Sequence, residues 1–132
     1  MKNFTLVLKA LSPLFLLVGM LHLVLGVGAE VMLGANLDEA ALSDAVLDSQ
    51  NRFYGVSFML YGVLFYLCAT DIEKYKPVLV SLLVVFFLAG LARVVSIATH
   101  GVPSALVLAL LGSEVLLPPV LFIWLRKLGI SA

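Results

Sequence analysis

The chain has 132 residues, 63% of them hydrophobic and 12% charged, with a mean hydropathy of +1.17, far from the roughly 45–50% apolar and 25% charged of soluble domains. That excludes an ordinary water-soluble globular protein and fits helices that cross a bilayer, each needing about 20 apolar residues. Eight lysines plus arginines balance eight acidic residues with no basic run, so nothing points to nucleic acid or to an electrostatic surface anchor.

Apolar runs predict four spans, near 6–29, 53–69, 78–97 and 102–125. The expected fold is therefore an all-α integral membrane protein, a four-transmembrane-helix bundle forming a single domain over 1–132. Lys2 and Lys9 precede the first run, which ends at "GVGAE". A cleaved signal peptide has the same layout, but the run exceeds a usual apolar signal core and is read as a span. Within it Gly19, His22 and Gly26 share one face, which lets a neighbouring helix approach closely around the imidazole.

The connection over 30–51 carries Glu30, Asp38, Glu39, Asp44 and Asp48 and neither lysine nor arginine. Its segment "NLDEAALSDAVLDSQ" has helix-compatible apolar spacing at Leu37, Ala41, Val46 and Leu47, with Asn36 or Asp38 as its cap. A short interfacial helix outside the membrane is expected. The stretch "DSQNRFYG" then gathers Asp48, Gln50, Arg52 and Tyr54 at the entrance to the second span, with Asp48 placed to cap it. Along that span Gly55, Met59, Gly62 and Tyr66 form one face, read as a packing seam. Tyr54, Ser57 and Tyr61 form another that can line a cavity. Cys68 is the only cysteine; alone it excludes an intramolecular disulfide, a CxxC redox pair and a thiolate cluster, and reads as a small buried apolar residue.

Pro77 suits the first turn of the third helix, and "HGVP" at 100–103 turns the chain into the fourth. Arg93, Ser96 and His100 recur as one polar stripe on the third helix. Glu114 stands inside the fourth, just before Pro118 and Pro119. Because proline has no N–H, these two deprive the carbonyls of Glu114 and Val115 of their helical partners, and in lipid such acceptors persist only if neighbouring groups satisfy them. Tyr66, Tyr75 and Trp124 read as interfacial aromatics.

Lys2, Lys9, Lys74, Lys76, Arg126 and Lys127 all fall on one side of a four-span hairpin arrangement, so both termini are expected in the cytoplasm. His22, Arg52, Arg93 and Glu114 then converge on the outer half. A charge at bilayer depth is costly and normally faces the bundle interior with a partner. Arg93 is the natural partner of Glu114, with donors to reach a freed carbonyl as well. The plain structural alternative is an ion pair that sets helix register and nothing more. Two histidines without an acidic cluster do not make a metal set, and no nucleophile–base spacing or phosphate loop suggests catalysis. No cofactor is implied.

"DSQNRFYG", "GLARVVS" (90–96), "GVP" (101–103) and "EVLLPP" (114–119) together resemble the small bacterial membrane proteins grouped as domain of unknown function 4345. The resemblance implies a four-helix inner-membrane protein in which Gln50, Arg52, Gly55, Arg93, Ser96, Glu114 and Pro118 match recurrent positions. Val56 departs from the family, which often has glycine there, and is expected to narrow the contact or pocket between helices.

The function expected is that of a small binding or accessory membrane protein. Its outward-facing pocket would hold a membrane lipid or similar amphiphile on a polar floor of Arg52, Arg93, Glu114, His22, Tyr54, Ser96 and Gln50. Few convergent polar groups among apolar walls is the usual make-up of such sites. The competing reading is a proton-coupled small-solute transporter acting as a dimer. An enzyme using His22 and Glu114, and a subunit of a larger membrane complex, stand behind these.

Overall fold

The computed structural model describes residues 1–129. Six helices follow in order: α1 (Lys2–Leu25), α2 (Gly28–Met32), α3 (Glu39–Leu42), α4 (Ala45–Thr70), α5 (Lys76–His100) and α6 (Ala105–Lys127). Four of them, α1, α4, α5 and α6, are long and apolar enough to cross a membrane, each rising about 35 Å at 1.5 Å per residue. Among the described residues there is no strand. The chain is an all-α, multi-pass membrane bundle. Its outward surface is studded with exposed Leu6, Leu17, Val63, Leu88 and Leu116, a distribution suited to hydrocarbon rather than water.

The bundle is built from two helix hairpins. In the first, α1 and α4 approach closely because glycines line their seam. A Cβ at Gly55 would lie 2.6 Å from the Leu23 nitrogen, and one at Gly62 would lie 2.7 Å from the Ser12 carbonyl oxygen. Met59 packs against Gly19 in the same seam, whereas Tyr66 is exposed and lies outside it. In the second hairpin Gly90 of α5 packs on Glu114 and Val115 of α6. The hairpins join at the end that holds the chain termini, through a core of Phe4, Leu8, Phe65, Leu79, Leu121 and Leu125. Cys68 is buried in this core, as its sequence setting suggests. Trp124 packs edge-on against Phe4, so it serves the core. Mid-bundle, Phe15 meets Phe58, Tyr61, Phe65 and Phe86 at ring-centroid distances of 5.3–6.1 Å, an aromatic floor beyond which the buried polar His22, Asn51 and Glu114 lie along with Val27 and Ala29.

Several boundaries differ from the sequence reading. The first span was expected to run to residue 29, but α1 stops at Leu25 because Gly26 takes φ 56°, donating its N–H to the His22 carbonyl. The connection forms two helical pieces rather than one. Asp38 caps only the single turn of α3, accepting from the Ala41 N–H at 2.8 Å. Asp44 caps α4, accepting from Val46 and Leu47, so α4 begins well before residue 53 and Asp48 is released from the capping role assigned to it. Pro77 does sit in the first turn of α5, and α6 continues through Pro118 and Pro119 without a break.

Candidate functional site

At the end of the bundle opposite the termini, the two hairpins treat their arginines differently. Arg52 lies one turn after Asp48 on α4, and the two pair at 2.7 Å. Its Nη1 donates to the Leu23 and Val24 carbonyls of α1 at 2.7 and 3.2 Å. These are carbonyls that a helix C-terminus leaves without intrahelical partners. Asp48 in turn accepts from the Val27 N–H at 3.3 Å. Gly26 is required at this corner, since a Cβ there would collide with the Asp48 carboxylate. Arg52 and Asp48 therefore clasp the α1–α4 corner, and no hydrogen bond joins Arg52 to Arg93 or Glu114.

Arg93 is met by Glu114 from the neighbouring helix, Nε donating to Oε2 at 2.6 Å. From Arg93 to His100, the last residue of α5, the rise gives about 10 Å, which sets the pair well inside the helical span. Glu114 is 4% exposed, whereas the Arg93 side chain is 33% exposed. Among the described residues the guanidinium makes no other hydrogen bond, so both terminal nitrogens keep their N–H groups free. The expected additional bond to a carbonyl freed by the prolines is not made.

His22 is buried and stacks on Phe58, ring centroids 6.0 Å apart. Its Nδ1 lies 2.9 Å from the Val18 carbonyl. A carbonyl can only accept, so Nδ1 carries a proton. Nε2 faces Glu30 Oε1 at 3.8 Å. The depth of His22 relative to Arg93 follows from register. Phe15 of α1 touches Phe86 of α5, and the two helices run in the same direction. His22 follows Phe15 by the same two turns as Arg93 follows Phe86 (15 to 22, 86 to 93), so both occupy one level and nearly one face each.

Other residues read from the sequence are not drawn in. Gln50, Tyr54 and Ser96 are exposed, and their side chains bond nothing among the described residues. His100 is exposed and bonds Thr99. Tyr61 does line a groove, but one of about 460 Å³ between α4 and α5 on the termini side, with Leu64, Val78 and Leu82; Tyr54 and Ser57 do not share it. Val56 is 53% exposed and so cannot narrow the helix contact; Gly55 alone lies in the seam.

Two polar residues escaped the sequence reading. Asn51 is 8% exposed and its Oδ1 has no partner, while Nδ2 donates to Leu47. Its i, i+4 relation to Gly55 was the available signal. Glu30 looked like one more loop acid; only the turn at Gly26 and the α2 helix bring it back over His22. The segment 26–34 continues across the mouth to the second hairpin, where Ser104, the N-cap of α6, donates to the Leu33 carbonyl at 2.6 Å. No group of three or more metal-ligating side chains occurs among the described residues.

The family model described as a domain of unknown function (DUF4345) matches residues 3–125, nearly the whole chain. No curated protein and no solved structure matches it.

Proposed function

The chain belongs to the DUF4345 family, and from that premise we propose that it is a membrane-embedded binding protein that receives the polar head of an amphiphile at Arg93. The observation that carries the reading is the unsaturated guanidinium: a third exposed, about two turns inside its helix, oriented by Glu114 through Nε alone. A cation kept at bilayer depth normally has its donors satisfied. Free Nη groups beside an apolar surface are what an anionic head with an acyl or isoprenoid tail would complete. Arg52, already held by Asp48 and two carbonyls, is the less suitable receptor.

We place the protein in the bacterial inner membrane with both termini cytoplasmic, because Lys2, Lys9, Lys74, Lys76, Arg126 and Lys127 cluster at the termini end. Arg93 and the mouth then open to the outer leaflet. The proton-coupled alternative needs a carboxylate free to exchange its proton, and Glu114 is held by Arg93.

The test is mass spectrometry of small molecules that co-purify in mild detergent, comparing the native chain with Arg93→Gln and Arg52→Gln. A specific amphiphile retained by the native chain and Arg52→Gln but absent from a folded Arg93→Gln is expected. An empty native protein would reduce the pair to a register device. Substrate-dependent proton flux in liposomes, abolished by Glu114→Gln, would replace binding with transport.

A further inference from the structure

We infer that the head group received here is a zwitterion carrying N–H donors, a phosphoryl or carboxyl anion joined to a primary ammonium; this rests on the binding reading above. On the first hairpin and the segment that follows it, at the level that register gives Arg93, stand groups of opposite character. His22 turns Nε2 toward Glu30, its Nδ1 being committed to Val18. Asn51 presents a buried Oδ1 with no partner. Glu30 presents a carboxylate 3.8 Å from Nε2, too far for a hydrogen bond, and makes no other side-chain bond. Asn51 and Glu30 thus offer acceptors, and His22 adds a third through Nε2 when only its Nδ1 carries a proton.

Their proximity follows from the packing. A Cβ on Gly55 would lie 3.1 Å from the His22 carbonyl carbon, and Asn51 is one turn before Gly55 on the same buried stripe of α4. Glu30 rides on the segment that crosses from α1 to Ser104, between the hairpins. Asn51 Oδ1 is costly to leave buried without a partner, and a donor-rich cation would satisfy it beside the partly exposed Glu30 carboxylate. The anionic half goes to the free Nη groups of Arg93, which register puts at the same level as His22. A quaternary ammonium fits poorly because it has no N–H to give.

The experiment reconstitutes the full-length protein in nanodiscs of phosphatidylcholine containing equal minor fractions of phosphatidylethanolamine and phosphatidylglycerol with identical acyl chains. Lipid retained after detergent extraction is counted by native mass spectrometry. Phosphatidylethanolamine should be enriched roughly tenfold over both others, about the worth of one charge-assisted hydrogen bond. In Glu30→Gln and Asn51→Leu the ethanolamine preference should fall while a lipid is still held; in Arg93→Gln both should be lost. Retention without preference, or a preference unchanged in Glu30→Gln and Asn51→Leu, overturns the zwitterion but leaves the binding site. No retained lipid in the native chain overturns the binding reading itself. Free phosphoethanolamine, added as competitor, distinguishes a lipid head from a soluble zwitterion. Displacement at low concentration assigns the site to the soluble compound, and failure to displace assigns it to the lipid.

Discussion

The two hairpins each carry an arginine and a carboxylate at the end away from the termini, yet they use them differently. In the α1–α4 hairpin the partners are four residues apart on one helix, and the guanidinium finds helix-end carbonyls that nothing else satisfies. In the α5–α6 hairpin they are 21 residues apart on two helices, and the carboxylate is buried. A helix terminus supplies acceptors enough to saturate an arginine. A mid-helix position supplies one carboxylate, and the remaining donors stay open. The first pair closes a corner; the second leaves donors open.

Breaking the second pair should have the largest effect. Glu114→Leu leaves Arg93 without its partner; because the guanidinium is a third exposed, the cost should fall toward the lower end of the roughly 3–5 kcal/mol of a fully buried pair. Thermal unfolding in detergent measures it, and the double variant Arg93→Leu with Glu114→Leu should recover most of the loss. A double variant no more stable than Glu114→Leu would show that the pair contributes beyond compensating its own charge.

The seams differ next. An alanine at Gly55 meets backbone atoms, the Leu23 nitrogen at 2.6 Å and the Gly19 oxygen at 2.7 Å, so the helices must move apart, at about 1–3 kcal/mol. At Gly90 the nearest atom is a Val115 methyl at 2.8 Å, which can yield, and alanine's better helix propensity of about 1 kcal/mol offsets the crowding. Gly55→Ala should therefore lower the unfolding temperature clearly and Gly90→Ala scarcely at all. Equal losses would mean that the second seam is as rigid as the first.

The smallest effect is expected at the clasp. Arg52→Met removes an exposed ion pair and two hydrogen bonds to α1, and should destabilise less than Gly55→Ala. Hydrogen exchange should show faster opening confined to residues 23–28. An effect spread over the whole bundle would give the clasp the wider role here assigned to Arg93 and Glu114.

Much of this was legible in advance because the membrane constrains sequence severely. Span number and the partnership of Arg93 with Glu114 follow from the cost of exposing polar groups to hydrocarbon, and the glycine seam at Gly19, Gly55 and Gly62 from small residues recurring at helical spacing. Asn51 and Glu30 were not legible. Asn51 stands among polar neighbours at a helix entrance, where burial depends on what folds over it. Glu30 reaches His22 only after Gly26 reverses the chain. The tie of Arg52 to α1 was not legible either, since its partners there are backbone carbonyls and every residue type has those.

The sequence by itself determined the class of the protein, its four spans and the residues too polar to be left unpaired in lipid, because each depends on transfer free energy and a helical period alone. Only the tertiary structure decided which arginine is saturated and which is open, and which acceptors gather at its level. Those outcomes depend on where Gly26 ends a helix, how closely the glycine seams bring backbones together, and the level at which Phe15 meets Phe86.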